Sequence, residues 1–229
     1  MFKKRRLPIL TILSMAIIII PLLMYGCGVE RNETEMAELK PVEVTEYQGE
    51  NLSSVNAFRE NSIAGPQQVD IDNYQLQISG LVQTPVSYKY NEVINQNTLY
   101  KKVVTLNCVE GWSVNILWEG PLVRDLINKS APQSGAKVVI FHAYDGYTTS
   151  FPLDYVMNND IILAYKVNDI LLPPERGFPF QLVAESKWGY KWIKWITQIE
   201  LSDDVNYKGY WESRGYSNEG DLNKNFFDK

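Results

Sequence analysis

Cysteine and histidine are scarce in this 229-residue sequence, which contains two Cys and one His. Two cysteines cannot build a disulfide framework or a multi-cysteine zinc or iron–sulfur site. The lone His142 excludes multi-histidine metal sites and c-type haem attachment, which needs Cys-x-x-Cys-His. Any metal chemistry must therefore depend on very few protein ligands.

Basic residues are also scarce once the N-terminus is passed. Residues 27–229 contain 18 basic and 27 acidic residues, a net charge of −9, whereas residues 1–26 carry +4. Such an acidic chain argues against a nucleic-acid partner, because phosphate binding needs a basic surface. With 45% hydrophobic and 21% charged residues, the composition predicts a packed domain and excludes wholesale disorder.

The N-terminus has the pattern of an export segment. A basic start is followed by uncharged residues 7–29, which predicts a signal peptide or membrane anchor over residues 1–26. The sequence Met24-Tyr25-Gly26-Cys27 resembles a bacterial lipobox and predicts lipidation of Cys27. The alternative is a plain N-terminal transmembrane helix, since residues 7–26 are about long enough to span a bilayer. Both interpretations place the protein at the cell membrane, on the extracytoplasmic face.

Residues 27–51 are predicted to form an acidic linker. They contain seven Glu but one Arg and one Lys, with few apolar side chains between them. This composition favours a solvated spacer over a part of the core. We therefore expect the folded domain to occupy residues 52–229.

Apolar periodicity predicts a domain built mainly of strands. Residues 74–80 alternate apolar and polar side chains, and residues 121–127 have helical spacing with Pro at the start. Further strands are predicted at 103–109, 137–141, 147–153, 161–165, 170–172, 180–184 and 193–201. Turns are expected at Asp145-Gly146 and Asn168-Asp169. The pattern predicts an α+β fold with mostly antiparallel or mixed sheets and short helices.

Cys108 stands where a strand is predicted to end. The residues that follow, Glu110-Gly111-Trp112-Ser113, predict a tight turn that presents the thiol to a cavity. A lone buried Cys is more often a small hydrophobic residue. In an oxidising compartment, however, Cys108 has no disulfide partner once Cys27 is lipidated. Because a thiolate suits a soft metal, we expect Cys108 to be functional.

Several motifs, in one order, resemble the sulfite-oxidase-type molybdopterin domain. The first runs from Cys108 to Ser113 and is followed by Trp118-Glu119-Gly120-Pro121-Leu122. Others lie at 145–150, 177–180, 188–195, 209–212 and 215–216. The similarity covers roughly residues 52–218, and motifs in register are more specific than one alone. The sequence resembles a small bacterial member of this family, similar to the catalytic subunit of periplasmic methionine sulfoxide reductase.

The resemblance implies a molybdenum–molybdopterin cofactor, whose metal is held by pterin dithiolene sulfurs and by the thiolate of Cys108. The family segment Asn-x-Phe-x-Glu matches residues 56–60, which places Asn56, Arg59 and Glu60 at the pterin. Positions matched further along the chain imply more cofactor contacts, at Ala143, Arg176, Gln181, Trp192, Ile193 and Lys194.

Three positions depart from the family pattern, and one of them is Glu185, where Pro is common and where the negative charge would repel sulfite. Ala143 lacks the hydroxyl of the usual Thr, so its contact must use the backbone, or His142 must substitute. A single His beside a turn is, however, more often structural than catalytic. Gln181 removes a guanidinium that would pair with an anion, although Arg176 can supply that charge from another direction. These changes favour sulfoxide reduction over sulfite oxidation.

The implied function is two-electron oxygen-atom transfer on a small sulfoxide- or sulfite-like substrate. Because the sequence contains no haem-binding domain, we expect a separate electron-transfer partner, for which a membrane subunit is one candidate. One alternative is a non-enzymatic extracytoplasmic lipoprotein that binds an anionic ligand in the same cleft. Another is a domain that keeps the fold but never receives cofactor. Arg5-Arg6 fits twin-arginine export of a loaded enzyme, whereas Pro8 does not.

Lysines alternate with aromatic residues in the stretch 187–195. Lys187, Lys191 and Lys194 can bind an anionic, planar ligand such as a phosphate-bearing pterin. The alternative is a core edge with snorkelling lysines, and we favour the ligand. The aromatic-rich residues 207–216 are expected to serve packing first and a partner surface second.

Overall fold

The computed structural model describes residues 42–227. The predicted signal or anchor segment, the lipidation site Cys27 and the first part of the acidic linker lie outside the described residues. Between residues 42 and 227, no helix combines the length and the apolar character needed to cross a membrane.

The described chain consists mainly of short strands. The strands are β1 (Glu46–Tyr47), β2 (Glu50–Asn51), β3 (Gln75–Gly80), β4 (Val86–Lys89), β5 (Leu99–Asn107), β6 (Ser113–Pro121), β7 (Val138–Ala143), β8 (Thr148–Pro152), β9 (Ile162–Ala164), β10 (Lys166–Val167), β11 (Ile170–Leu171), β12 (Gln181–Val183) and β13 (Ile196–Ser202). The α-helices are α1 (Tyr90–Asn95), α2 (Val123–Lys129) and α3 (Leu153–Asn158). Single 3-10 turns lie at Val55–Ala57, Pro174–Arg176, Gly189–Lys191 and Glu212–Arg214. The predicted α+β class is confirmed.

Two larger sheets organise the domain. One has the strand order β4-β3-β13-β7-β8 and the other β11-β10-β6-β5, while β12 pairs with β9 and β1 with β2. Among the described strands, β13 and β3 are the one parallel pair. In the middle of the first sheet Ile199 stands opposite Ile78 on one side and Phe141 on the other, and all three are fully buried. This apolar row anchors the sheet in the core.

A close approach between β6 and β9 fixes the packing of the second sheet against the β9–β12 pair. A Cβ on Gly120 would lie 2.0 Å from the carbonyl oxygen of Leu163, so only glycine fits there. One hydrophobic cluster then includes side chains from both larger sheets, such as Ile116 of β6 and Phe141 of β7. The domain therefore has one continuous core.

Most of the predicted strands are present, but one pairing differs, and β4 and β6 were not predicted. The β7–β8 pair around Asp145-Gly146 is confirmed, but β9 pairs with β12 rather than across Asn168-Asp169. Those two residues instead join β10 to β11, and both have positive φ angles, of 45° and 63°, as a two-residue hairpin turn requires. Strand β6 was missed because its pattern contains a buried carboxylate, Glu119, which accepts a hydrogen bond from the Tyr165 hydroxyl (2.5 Å).

The last part of the predicted acidic linker packs on the domain. Strands β1 and β2 form a hairpin within residues 46–51. Upstream of it, the carboxylate of Glu43 accepts hydrogen bonds from the Ser54 hydroxyl (2.6 Å), the Val55 N–H (2.7 Å) and the Asn168 side-chain amide (3.2 Å). The folded structure thus begins upstream of the expected start at residue 52.

Candidate functional site

A cavity of about 250 Å³ lies where several loops of the domain converge. Its lining includes Cys108 after β5, Asp145 in the β7–β8 turn, Arg176 before β12, Lys194 before β13 and Tyr216 of the C-terminal segment. Because these residues are distant in sequence, the cavity depends on the complete fold. Concave sites with a few polar groups in an aromatic wall are typical of ligand and cofactor pockets.

A tight turn after β5 places Cys108 at this cavity. The Cys108 N–H donates to the Trp112 carbonyl (2.9 Å), and the Gly111 N–H donates to the Cys108 carbonyl (3.0 Å). Gly111 has a φ of 85°, which favours glycine. Gly189 packs against the turn so closely that a Cβ there would lie 3.4 Å from the Cα of Cys108. The predicted turn and its cavity are therefore present. Among the residues that the structure describes, Cys108 is a cysteine without a disulfide bond.

The surroundings of the Cys108 thiol act on its pKa in both directions. Burial raises this pKa above the usual value, and the charge of Glu110 acts in the same direction. The backbone N–H groups of Glu110 and Val109 and the positive charge of Arg59 oppose this. Glu110 is itself held in place, because its carboxylate accepts hydrogen bonds from Asn61 (3.1 Å) and from the Trp112 indole (3.2 Å).

Arg59, Arg176 and Lys194 line the cavity, and we call them the cationic cluster. The Arg176 guanidinium donates to the Phe58 carbonyl (3.0 Å) and lies 5.0 Å from the centre of the Phe58 ring. The Lys194 ammonium donates to Glu60 (3.0 Å). Burial lowers the pKa of both Lys194 and Arg176, while the Glu60 carboxylate acts to raise each of them.

Gln181, Trp192 and Ile193, which are predicted to contact the cofactor, also line the cavity. The Gln181 side-chain carbonyl oxygen is buried and has no hydrogen-bond partner among the described residues. A buried acceptor without a partner is costly, so this atom is suited to a donor on a bound ligand. The Trp192 indole already donates to the Lys187 carbonyl (3.0 Å), which leaves its ring to form the wall.

Three predicted site residues do not line the cavity. Asn56 is exposed on a 3-10 turn. Glu60 contacts the site indirectly, through Lys194. Ala143 is buried at the end of β7, where its N–H donates to Tyr147 and its carbonyl accepts from Gly146. Ala143 is thus engaged within the β7–β8 turn.

The sequence raised the possibility that His142 substitutes for Ala143 at the cofactor, but the His142 side chain has a different partner. Its Nε2 atom lies 2.8 Å from a carboxylate oxygen of Glu200 on the neighbouring strand β13. The structural interpretation of this histidine therefore fits the observed pairing better than a substitute for Ala143.

Of the three lysines expected at a ligand, only Lys194 lines the cavity. Lys187 is largely buried and forms an ion pair with Asp221. Lys191 is fully buried and pairs with Glu212 at 2.6 Å. The expectation of ligand binding by all three was wrong, because Lys191 pairs with a buried carboxylate within the fold and Lys187 with a partly exposed one.

Sequence reasoning missed much of the aromatic wall. Five aromatic residues that were not predicted as site residues line the cavity: Trp112, Tyr147, Tyr190, Trp211 and Tyr216. Trp211 and Tyr216 belong to the segment expected mainly to pack. The available signal was that both lie in the motifs at 209–212 and 215–216 that extend the family resemblance.

The described residues offer few metal ligands, which agrees with a metal whose other ligands come from a cofactor. Across residues 42–227, no three His, Cys, Asp or Glu side chains are grouped to hold a metal ion. A metal held by pterin sulfurs needs only one protein thiolate, and Cys108 is available at the cavity. The cationic cluster and the unpartnered Gln181 oxygen suit a phosphate-bearing, hydrogen-bonding ligand. In these respects the residues fit a molybdopterin.

Residues 63–211 match the oxidoreductase molybdopterin binding domain family, and the chain belongs to that family. The chain is therefore a molybdopterin-dependent oxidoreductase. The predictions of an enzyme and of a molybdenum–molybdopterin cofactor are confirmed, and the non-enzymatic alternative is set aside.

Known proteins similar to this chain agree with that assignment. The chain is 34% identical over 157 residues to an uncharacterized oxidoreductase, YuiH, of Bacillus subtilis, covering 68% of this chain and 78% of that protein. It is 26% identical over 145 residues to the protein-methionine-sulfoxide reductase catalytic subunit MsrP of Ralstonia nicotianae, covering 57% and 44%. It is also 28% identical to a nitrate reductase of Fusarium oxysporum, of which it spans 18%.

A solved structure shares the fold. The sulfane dehydrogenase SoxCD of Paracoccus pantotrophus superposes with a TM-score of 0.62 over 88% of this chain and 58% of that chain, at 18% identity. The chain thus spans only part of the reductases and of this dehydrogenase, and the resemblance to the dehydrogenase concerns the fold alone.

Proposed function

We propose that this protein catalyses oxygen-atom transfer on a small sulfoxide- or sulfite-like substrate, with Cys108 as the protein ligand of molybdenum. One observation carries the proposal: the Cys108 thiol lines the same cavity as the cationic cluster. A soft sulfur donor and three positive side chains are what a metal on an anionic pterin requires.

The bound cofactor would supply the two-electron oxygen-atom chemistry. Cys108 would bind the metal as a thiolate and release its proton on doing so. The cationic cluster would bind the phosphate, with Glu60 orienting Lys194.

Other predicted contacts would shape the site. The Gln181 oxygen would accept a hydrogen bond from the pterin ring, and Trp192 and Ile193 would exclude water from one wall. Ala143 would act by holding the turn that carries Asp145 and Tyr147.

The proposal includes an extracytoplasmic location and a separate electron-transfer partner, with a membrane subunit as the candidate. The basic and apolar residues 1–26, followed by Cys27, support a tether by lipid or by an N-terminal helix. The Ralstonia relative is named a catalytic subunit, which supports a division between catalysis and electron supply.

The test is to purify the protein from its native export host and to measure molybdenum per chain in the wild type and in Cys108→Ser. We expect near-stoichiometric molybdenum in the wild type. In the variant we expect altered metal spectra and loss of sulfoxide reduction with a reduced dye. Ser113→Ala, at an exposed position five residues away, is the matched control and should behave as the wild type. Metal-free wild-type protein from a molybdenum-sufficient host, or a variant with unchanged spectra, would contradict the proposal.

A further inference from the structure

We call residues 211–227, which begin at the last residue of the family match, the C-terminal strap. The strap folds back along the residues that precede β13. The Trp188 N–H donates to the Gly220 carbonyl (2.8 Å), and the Leu222 N–H donates to the Ser186 carbonyl (2.9 Å). The strap is therefore part of the domain and not a loose tail.

Buried charges hold the strap at a fixed position. The Lys191 ammonium donates to the Glu212 carboxylate (2.6 Å) and to the Asn218 carbonyl (3.0 Å), both within the strap. The ion pair between Lys187 and Asp221 adds a second attachment. Displacing the strap would leave the fully buried Lys191 and the largely buried Lys187 without their carboxylates, which is costly.

The strap delivers Tyr216 to the cavity within a set of ring contacts. The Tyr216 ring centre lies 5.0 Å from that of Tyr190, 5.2 Å from that of Trp211 and 4.8 Å from that of Phe227. The Tyr190 hydroxyl donates to the Ser217 carbonyl of the strap (2.6 Å). Tyr216 and Trp211 are consequently held as a preformed aromatic surface beside the Cys108 thiol's cavity.

This surface is suited to an uncharged ligand. The face of an aromatic ring is electronegative, so it favours apolar groups and cations over anions. Asp145, which lines the same cavity, adds a negative charge. In the proposed function the cationic cluster binds the phosphate of the pterin, so its charges are engaged by the cofactor. Arg176 also lies over Phe58, and Lys194 also pairs with Glu60.

We propose that Tyr216 and Trp211 are specificity-determining residues that select an uncharged sulfoxide with an apolar substituent over a small inorganic anion. This inference rests on the proposed function of the same site. In the reaction the sulfur–oxygen bond breaks, two electrons come from the electron-transfer partner and two protons from water, and the products are a thioether and water. The aromatic surface packs on the substituent and takes no part in the electron transfer.

The experiment measures binding of two ligands that the enzyme does not turn over, methyl phenyl sulfone and sulfate, to the holoenzyme by calorimetry. The wild type should bind the sulfone more tightly than sulfate. Tyr216→Leu and Trp211→Leu should each weaken sulfone binding about 3- to 10-fold, the range expected for one lost aromatic contact, with sulfate unchanged. Tyr216→Phe keeps the ring and should stay within about twofold of the wild type.

Tyr100→Leu, at an exposed tyrosine on β5 outside the cavity lining, is the control and should bind both ligands as the wild type does. Thermal melting shows which variants fold, and Trp211→Leu carries the test if Tyr216→Leu does not. Tighter binding of sulfate than of the sulfone, or unchanged sulfone binding in both folded leucine variants, would overturn the inference.

Turnover of methyl phenyl sulfoxide with a reduced viologen dye separates the two proposals. Loss of sulfone selectivity in the leucine variants without any sulfoxide turnover in the wild type would support the role of the strap and reject the proposed reaction. If every variant turns over the sulfoxide with the same preference among substrates, the role of the strap is rejected and the proposed reaction stands.

Discussion

The ammonium of Lys191 lies 2.6 Å from the carboxylate of Glu212, and both side chains are fully buried. All three ammonium protons have acceptors, since Lys191 also donates to the carbonyls of Ser150 (2.7 Å) and Asn218 (3.0 Å). The same Glu212 oxygen accepts from the Thr149 hydroxyl (2.6 Å). The pair therefore joins strand β8 and the residues before β13 to the C-terminal strap.

Removing one partner of this pair should be strongly destabilising. We expect Lys191→Met to lower the free energy of unfolding by about 3–5 kcal/mol, because it leaves the Glu212 carboxylate buried without its cation. Urea unfolding of the variant against the wild type measures this loss. The double variant Lys191→Met with Glu212→Gln should be more stable than Lys191→Met alone, since no buried charge remains. A single variant as stable as the wild type would contradict a structural role.

The contact between β6 and β9 makes a second prediction about stability. Gly120→Ala should lower the free energy of unfolding by about 3 kcal/mol, because the new Cβ would meet the Leu163 carbonyl at 2.0 Å and the backbones must separate. Gly135→Ala is the matched control, since its nearest neighbour would be a flexible Leu81 methyl at 3.9 Å. We expect that control to change stability by less than about 0.5 kcal/mol. Equal losses of stability in Gly120→Ala and Gly135→Ala, measured by thermal melting, would contradict the close approach of β6 and β9.

Local sequence patterns identified most strands and the cysteine that lines the cavity, for physical reasons. Residues 74–80 alternate because one face of β3 is buried and the other is not, and this needs no knowledge of partners. Cys108 stood out because a turn sequence follows it directly. Pairing was harder to predict, as β9 shows, because the choice between β12 and a hairpin partner depends on contacts distant in sequence.

Side-chain roles in the site could be predicted only in part. The spacing of Lys187, Lys191 and Lys194 among aromatic residues is the same whether the charges meet a ligand or carboxylates of the fold. Their partners Asp221 and Glu212 lie 21 to 34 residues further along the chain, so local sequence could not distinguish the cases. Tyr216 was assigned to packing for a similar reason, since its place at the cavity depends on the strap.

Acid should loosen the N-terminal hairpin through Glu43. Burial acts to raise its pKa, but hydrogen bonds from Ser54, Val55 and Asn168 outweigh it and hold the pKa below the usual value for Glu. A carboxyl with a lowered folded-state pKa stabilises the fold above its unfolded pKa, and this contribution disappears as pH falls through the lowered value. We therefore expect the wild type to lose more stability than Glu43→Gln between pH 6 and pH 3, measured by urea unfolding. Parallel pH profiles for the two proteins would contradict this.

Cofactor retention should depend on the positive charge of Arg176. The guanidinium lines the cavity and is fixed by the Phe58 carbonyl, so Arg176→Gln removes a preorganised charge without enlarging the core. Because one charge-assisted contact with a phosphate is lost, we expect the pterin to bind about tenfold more weakly. The amounts of pterin and molybdenum released on dialysis measure this loss of affinity. Arg124→Gln, which removes a surface pair with Asp160 outside the cavity lining, is the control and should retain the wild-type content. Equal retention in both variants would place the phosphate away from Arg176.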